Sequence, residues 1–151
     1  MSTTGRGAVQ PRNALRTAAL VVGAVFLLVG LLGFVPGITT HYGHLGAAGH
    51  ESTAKLLGIF QVSVLHNIVH LLFGVAGVVL SRTNEGSRAY LIGGGVIYLV
   101  LWLFGLVIDK TSDANFLPLN SADDWLHFVL SVGMIGLGVA LSRNLRRTSR
   151  V

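Results

Sequence analysis

The sequence contains no cysteine, so disulfide bonds, thiolate metal sites and cysteine nucleophiles are all excluded. Charged residues are scarce too: they form 11% of the 151 residues, whereas soluble domains typically carry about 25%. There are only three prolines against 20 glycines, a balance that suits closely packed membrane helices better than a loop-rich fold. With 52% hydrophobic residues and a mean hydropathy of +0.69, the chain lacks the polar surface of a water-soluble domain.

Four long apolar runs dominate the chain, and each can cross a hydrocarbon core of ~30 Å at about 1.5 Å per residue. They predict an all-α, four-helix transmembrane bundle in residues 15–142, flanked by basic tails at 1–14 and 143–151. The predicted helices cover residues 15–35, 56–80, 89–108 and 123–142. The second run is the longest, so we expect it to tilt or project. The first run exceeds the 7–15-residue core of a signal peptide, which favours an uncleaved helix.

The charges separate by side of the predicted membrane. The acids lie mainly in the first and third loops, where the only basic residues are Lys55 and Lys110. Arginines flank the two tails and the short second loop: Arg6, Arg12, Arg16, Arg82, Arg88, Arg143, Arg146, Arg147 and Arg150. The positive-inside rule then predicts that both the N- and C-termini are cytoplasmic. The net charge of +5 therefore reflects topology, and no nucleic-acid partner is expected.

The second and fourth predicted helices resemble each other. Residues 64–82 align without gaps on residues 125–143, with identity at seven of nineteen positions: Leu65/Leu126, His66/His127, Gly77/Gly138, Val78/Val139, Leu80/Leu141, Ser81/Ser142 and Arg82/Arg143. Similar helix-end chemistry at the Leu-Ser-Arg junctions is the alternative explanation. If the repeat is real, the bundle consists of two repeated helical hairpins, related by a pseudo-two-fold axis along the membrane normal.

The second helix is predicted to carry a polar face on an otherwise apolar span. Ser63, His66, Asn67 and His70 follow a spacing of i, i+3, i+4 and i+7, which places them on one arc. Polar groups are costly in hydrocarbon, so this face is expected to look into the bundle. Small residues predicted to allow close helix packing are Gly74, Gly77 and, in the fourth helix, Gly138.

The repeat places two histidines at one depth. His66 and His127 each precede the leucine of a Leu-Ser-Arg junction by fourteen residues, which is about 21 Å of helix. Both therefore lie in the outer third of the predicted membrane. His70 falls near the midplane, where the repeat places Ser131 as its counterpart.

Three interpretations of this polar site compete. The first is a structural or interaction protein whose His, Asn and Ser side chains form a hydrogen-bonded packing cluster between helices. No cofactor is expected in that case. The second is a redox protein in which His66, His70 and His127 ligate a transition metal or haem. The third is a proton- or solute-conducting subunit, although no buried carboxylate or lysine is predicted beside the histidines.

Other polar residues suggest weaker sites. His41 and His44 could bind a metal together with His50 or Glu51, but a glycine-rich loop usually leaves such residues solvated. An acidic cation site is a further alternative at Asp109, Asp113, Asp123 and Asp124. No Ser-His-Asp constellation, phosphate loop or dinucleotide fingerprint occurs, so an enzyme is not favoured.

Three segments resemble the family catalogued as domain of unknown function 4383, small multi-span membrane proteins chiefly of actinobacteria. They are Phe60-QVSVLHNIVH-Leu71, Ala122-DDWLHFVLSVGM-Ile135 and Gly33-FVPG-Ile38. The resemblance covers about residues 16–141. It implies four spans and a plasma-membrane location, and it implies no activity. The expected partners are the lipid bilayer and either a second copy of the chain or another membrane protein.

Overall fold

The structure is a computed structural model that describes residues 13–148, with the side chains of the last helix described as far as residue 143. Four α-helices form the bundle: α1 (Ala14–Leu32), α2 (Val64–Leu80), α3 (Asn84–Val107) and α4 (Ser121–Thr148). Packing is most extensive between α1 and α2 and between α3 and α4, and α1 also contacts α3 and α4. The prediction of an all-α four-helix bundle is confirmed. The predicted basic tails fall largely outside the described residues.

Three of the helices, α1, α3 and α4, are long and apolar enough to cross a membrane, and α2 is a shorter apolar helix of 17 residues. The prediction that the second helix covers residues 56–80 and is the longest is therefore wrong. Residues 56–62 are mostly apolar, but a tight turn at Leu57-Gly58 places the residues on either side of it in short strands. The other predicted boundaries differ less from the structure: the largest differences are that α3 begins at Asn84 instead of residue 89, and that α4 continues to Thr148 instead of ending at residue 142.

Polar side chains determine where the helices begin. Asn13, Ser63 and Thr83 are the N-caps of α1, α2 and α3, and the side chain of each accepts a backbone N–H bond from the first turn. At the start of α4 the capping is reciprocal. The Asn120 Oδ1 accepts from the Asp123 N–H at 3.0 Å, and the Asp123 Oδ2 accepts from the Asn120 N–H at 2.9 Å.

Between α1 and α2 the chain forms a small antiparallel sheet that the sequence did not predict. Its strands, in spatial order, are β1 (Thr39–Thr40), β2 (Lys55–Leu56) and β3 (Phe60–Gln61). We call residues 36–62 the sheet cap, and the end of the bundle that it covers the cap end. Its apolar residues Ala54, Leu56 and Val62 are buried against the end of α1. The Ser52 hydroxyl, also buried, donates to the Val62 carbonyl at 2.6 Å.

Glycines allow the α1 and α2 backbones to touch. A Cβ on Gly74 would lie 2.6 Å from the Leu27 nitrogen, and one on Gly77 would lie 2.7 Å from the Gly23 Cα. Real Cβ atoms essentially never approach this closely. Gly138, the third predicted packing glycine, faces α3, where a Cβ would lie 2.7 Å from the Ile92 side chain.

The turn between β2 and β3 holds Leu57 in a conformation that favours glycine or asparagine. Leu57 has φ of 54° and Gly58 has φ of 73°, and the Ile59 N–H donates to the Leu56 carbonyl at 3.1 Å. Two successive positive φ values are typical of a type I′ turn, for which Asn-Gly is preferred. We expect Leu57→Asn to raise the free energy of unfolding by about 1 kcal/mol, because asparagine tolerates positive φ better.

Thermal unfolding in detergent measures this gain. Ile59→Asn is the matched control, since Ile59 is also exposed in the same turn but does not have a positive φ. An equal gain in both variants would mean that loss of an exposed apolar side chain, and not the backbone conformation, causes the stabilisation.

Candidate functional site

A cavity of about 210 Å³ lies at the cap end of the bundle. Its walls come from α1, α2, α4 and the sheet cap, and they are mostly apolar. The lining residues are Val25, Phe26, Val29, Leu56, Leu57, Phe60, Val62, His66, His70, Asp123, Leu126, His127 and Leu130. An engineered cavity of about 150 Å³ holds one benzene ring, so this one has room for a single substituted ring or a comparable length of alkyl chain.

Three histidines meet at the cavity. His66 and His70 lie one turn apart on α2, with ring centroids 4.5 Å apart, and the ring of His127 on α4 lies 6.5 Å from that of His66. Each side chain is at most 8% exposed. The structure thus brings together the histidines that the sequence pattern singled out. It does so because i, i+4 spacing puts the first two on one face of α2, and the ring of His127 on α4 lies near that face.

Each of these histidines has one ring nitrogen without a hydrogen-bond partner. The Nδ1 atoms of His66, His70 and His127 are buried without a partner among residues 13–143. The hydroxyls of Ser63 and Ser131 bond within their own helices, to the His66 N–H at 3.1 Å and the Phe128 carbonyl at 3.0 Å. Within the described part of the chain, the three Nδ1 atoms therefore take no part in a hydrogen-bonded network of the kind that the packing interpretation predicts.

Three members of the predicted polar site do not line the cavity. Ser63 is the N-cap of α2 and lies at the start of the helix, so its predicted place on a helical face is wrong. Asn67 is fully buried against α1, where a Cβ on Gly33 would overlap its amide, and both polar atoms of that amide lack a partner in the described chain. Ser131 lies one turn beyond His127.

Asp123 belongs to the site, although the sequence reasoning assigned it to a helix start and to an acidic cluster. Its side chain lines the cavity and is 2% exposed. Its Oδ2 accepts the backbone N–H of Asn120 at 2.9 Å and that of Gln61, in β3, at 3.1 Å. The i, i+4 spacing of Asp123 and His127 on α4 was a signal that could have located it.

The other acids do not form a cation site with Asp123. Asp124 pairs with Lys110, whose Nζ lies 2.7 Å from the carboxylate. Asp109 accepts two hydrogen bonds from Thr111, from its N–H at 2.9 Å and its hydroxyl at 2.7 Å, and these bonds lower the pKa of Asp109. The acids of the predicted cation site Asp109, Asp123 and Asp124 therefore each bind a different partner and do not converge on one cation.

Aromatic rings close the cavity on the side away from the sheet cap. Phe26 lies 5.8 Å from the His70 ring and stacks on Tyr98 at 5.4 Å, and Tyr98 lies 5.1 Å from His127, all between centroids. Phe73 packs edge-on against Phe26 at 4.9 Å. The polar part of the site is therefore separated from the opposite end of the bundle by packed rings.

No group of three or more His, Cys, Asp or Glu side chains in residues 13–143 stands in an arrangement that could hold a metal ion. The loop histidines His41 and His44 are exposed, and His50 is half-buried.

Comparison with curated proteins found no match. Comparison with solved structures found none either. A family model does match, over residues 16–140, which is most of the chain. The chain belongs to the family described as domain of unknown function (DUF4383).

Proposed function

We propose that the protein spans the plasma membrane four times, with both termini in the cytoplasm, and binds a small lipophilic molecule in its histidine-lined cavity. The topology rests on the arginines at the end of the bundle opposite the sheet cap, among them Arg16, Arg82 and Arg143. At 17 residues, α2 is at the lower limit for a membrane-spanning helix.

One observation carries the binding proposal: a cavity with room for a single ring has almost wholly apolar walls, and a few buried polar residues belong to its lining. Small-molecule sites typically have this composition, in which apolar walls supply affinity and a few polar groups orient the ligand.

The ligand reaches this cavity from the lipid. Val25 on α1 and Leu57 in the sheet cap line the cavity and are 49% and 62% exposed, so part of its rim is apolar and accessible. An apolar rim among lipid-facing residues such as Val21 suits a molecule dissolved in the bilayer.

This proposal accounts for the site better than the two predicted roles that it replaces. A packing cluster requires hydrogen bonds between helices, and the Nδ1 atoms of the three histidines have no partner within residues 13–143. A conducting path requires polar groups that continue across the bundle, but the rings of Phe26, Phe73 and Tyr98 lie beyond His70.

The proposed repeat fits the same site. Each hairpin packs as a pair, α1 with α2 and α3 with α4, and the aligned histidines His66 and His127 contribute to one cavity from the second helix of each hairpin. Duplication of a hairpin would explain how two helices come to present imidazoles at a common depth.

Photo-labelling tests the binding proposal. The protein is reconstituted in lipid nanodiscs and irradiated with a para-alkylphenyl diazirine, whose single ring matches the cavity. We expect labels to concentrate on cavity residues such as Leu126 and Leu130. Val25→Trp, which fills the rim, is expected to reduce that labelling about tenfold.

Val21→Trp is the matched control, because Val21 lies one turn away on α1, is similarly exposed at 54% and does not line the cavity. The proposal is contradicted if labels spread evenly over the lipid-facing residues and the two tryptophan variants behave alike.

A further inference from the structure

Two arginines belong to the place where α1 begins and α2 ends. The Arg16 Nε donates to the carbonyl oxygen of Ser81, the C-cap of α2, at 3.1 Å, and Arg82 is the next residue in the chain. Arg16 is half-buried and Arg82 is exposed. Within residues 13–143, neither arginine forms an ion pair with a carboxylate. This part of the surface therefore carries two positive charges that are not paired with an acid of the described chain.

The bond to Ser81 holds the Arg16 side chain in a form suited to a phosphate. A guanidinium group is planar and presents its five N–H donors in a rigid fork. The bond from Nε fixes that plane against the end of α2. The edge formed by the two Nη atoms is the one that can bind two oxygens of a phosphate at once.

A lipid-facing apolar stripe on α2 leads to the two arginines. Its four side chains are 42–65% exposed and follow a spacing of i, i+4, i+7 and i+11, which keeps them on one side of the helix: Ile68, Leu72, Val75 and Val79. Leu71 and Gly74, the chain neighbours of Leu72 and Val75, lie against α1. The stripe therefore runs beside the seam between α1 and α2, and Arg82 follows its last member by three residues.

The length of α2 places these arginines at the depth of phospholipid head groups. Its 17 residues make about 26 Å of helix, slightly less than a hydrocarbon core of ~30 Å. A helix this short keeps the residue that follows it at the boundary of the hydrocarbon. Phosphate groups of phospholipids lie just outside that boundary, and their acyl chains extend from it along the apolar stripe.

We infer that the seam between α1 and α2 binds one anionic phospholipid, with its phosphate at Arg16 and Arg82 and an acyl chain along the stripe. Charge complementarity selects the head group, because the described residues at this end of the bundle include four arginines and one acid, Glu85. A zwitterionic head group would bring a further cation to the arginines. The site is separate from the cavity, so it does not depend on ligand binding there.

The second hairpin provides matched controls of equal charge. Arg143 aligns with Arg82 in the repeat, and Arg88 lies near the start of α3 as Arg16 does near the start of α1. Both are exposed. The positions on α4 that align with the stripe hold smaller side chains, which offer little contact to an acyl chain: Val129, Gly133, Gly136 and Ala140.

Native mass spectrometry of the full chain tests the inference. The protein, in mild detergent, is titrated with dioleoyl phosphatidylglycerol, dioleoyl phosphatidylcholine or glycerol 3-phosphate. We expect the first phosphatidylglycerol to bind about tenfold more tightly than phosphatidylcholine, and glycerol 3-phosphate to bind more weakly than either. Arg16→Gln with Arg82→Gln is expected to weaken phosphatidylglycerol binding about tenfold, and Arg88→Gln with Arg143→Gln by no more than about twofold.

Three results overturn the inference: equal affinity for the two phospholipids, equal losses in the two double variants, and glycerol 3-phosphate binding as tightly as phosphatidylglycerol. The last of these would assign the arginines to a free anion and not to a lipid.

Photo-labelling of the unmodified protein decides even if the double variant of Arg16 and Arg82 does not fold. Phosphatidylglycerol with a diazirine midway along one acyl chain is incorporated in nanodiscs of phosphatidylcholine. We expect the labels to concentrate on Leu72 and Val75 rather than on Val132, which is also lipid-facing, on α4, and 55% exposed. Equal labelling of α2 and α4 contradicts a site at the seam.

Discussion

Gly74→Ala is expected to lower the free energy of unfolding by about 2 to 3 kcal/mol, although it adds a single methyl group. The new Cβ would lie 2.6 Å from the Leu27 nitrogen and 2.8 Å from the Gly23 carbonyl oxygen. Both atoms belong to the backbone of α1, so no side-chain rotation relieves the overlap. The helices must separate, and the close packing around the contact is lost with them.

Unfolding by a denaturing detergent, titrated into mild micelles, measures this loss. Gly93→Ala and Gly133→Ala are matched controls, since a Cβ at either position meets no other atom within 4 Å. Alanine is the better helix former, so these two variants are expected to be unchanged or up to about 1 kcal/mol more stable. A G74A variant as stable as the controls would show that α1 and α2 do not meet at this contact.

The long helices were predictable because hydrocarbon imposes a simple requirement on them. A run of about 20 apolar residues without charge has few alternatives to a spanning helix, and α1, α3 and α4 follow that rule. The start of α2 was predicted eight residues too early, at residue 56 instead of Val64, because hydropathy does not distinguish an apolar strand from an apolar helix over residues 56–62. Two local signals were present, the Leu57-Gly58 turn and the capping residue Ser63.

The candidate site was predictable only where its residues share a helix. Spacing placed His66 and His70 together, and the internal alignment added His127. Asp123 was missed because its role depends on a contact from another element, the Gln61 N–H of the sheet cap. The same limit applies to Asn67. The polar face of α2 turns partly toward α1, and Asn67 packs beside Gly33. Periodicity within one helix cannot reveal this contact with another helix.

Lys110→Met is expected to lower the free energy of unfolding by about 3 kcal/mol. Lys110 donates to both oxygens of Asp124, at 2.8 and 2.7 Å, and the Asp124 side chain is only 7% exposed. The absence of a side chain at Gly105 leaves room for the Asp124 carboxylate, because a Cβ at this position would overlap it. Removing the ammonium leaves a buried carboxylate without its counter-ion, which costs more than the pair itself contributes. The Lys110 side chain is 32% exposed, so the expected loss is at the lower end for buried ion pairs.

A double-mutant cycle separates that desolvation cost from the value of the pair. Lys110→Met combined with Asp124→Leu removes both charges, and we expect it to recover most of the stability that K110M loses. Lys55→Met is the control: Lys55 lies in β2 at the same end of the bundle and forms no ion pair within residues 13–143. If K110M and K55M were equally mild, Asp124 would have to be solvated, and the start of α4 would be open to water. A large loss of stability in K110M that the double variant recovers would mean instead that water does not reach the start of α4, which also positions Asp123. A charged side chain in that region then requires a counter-ion.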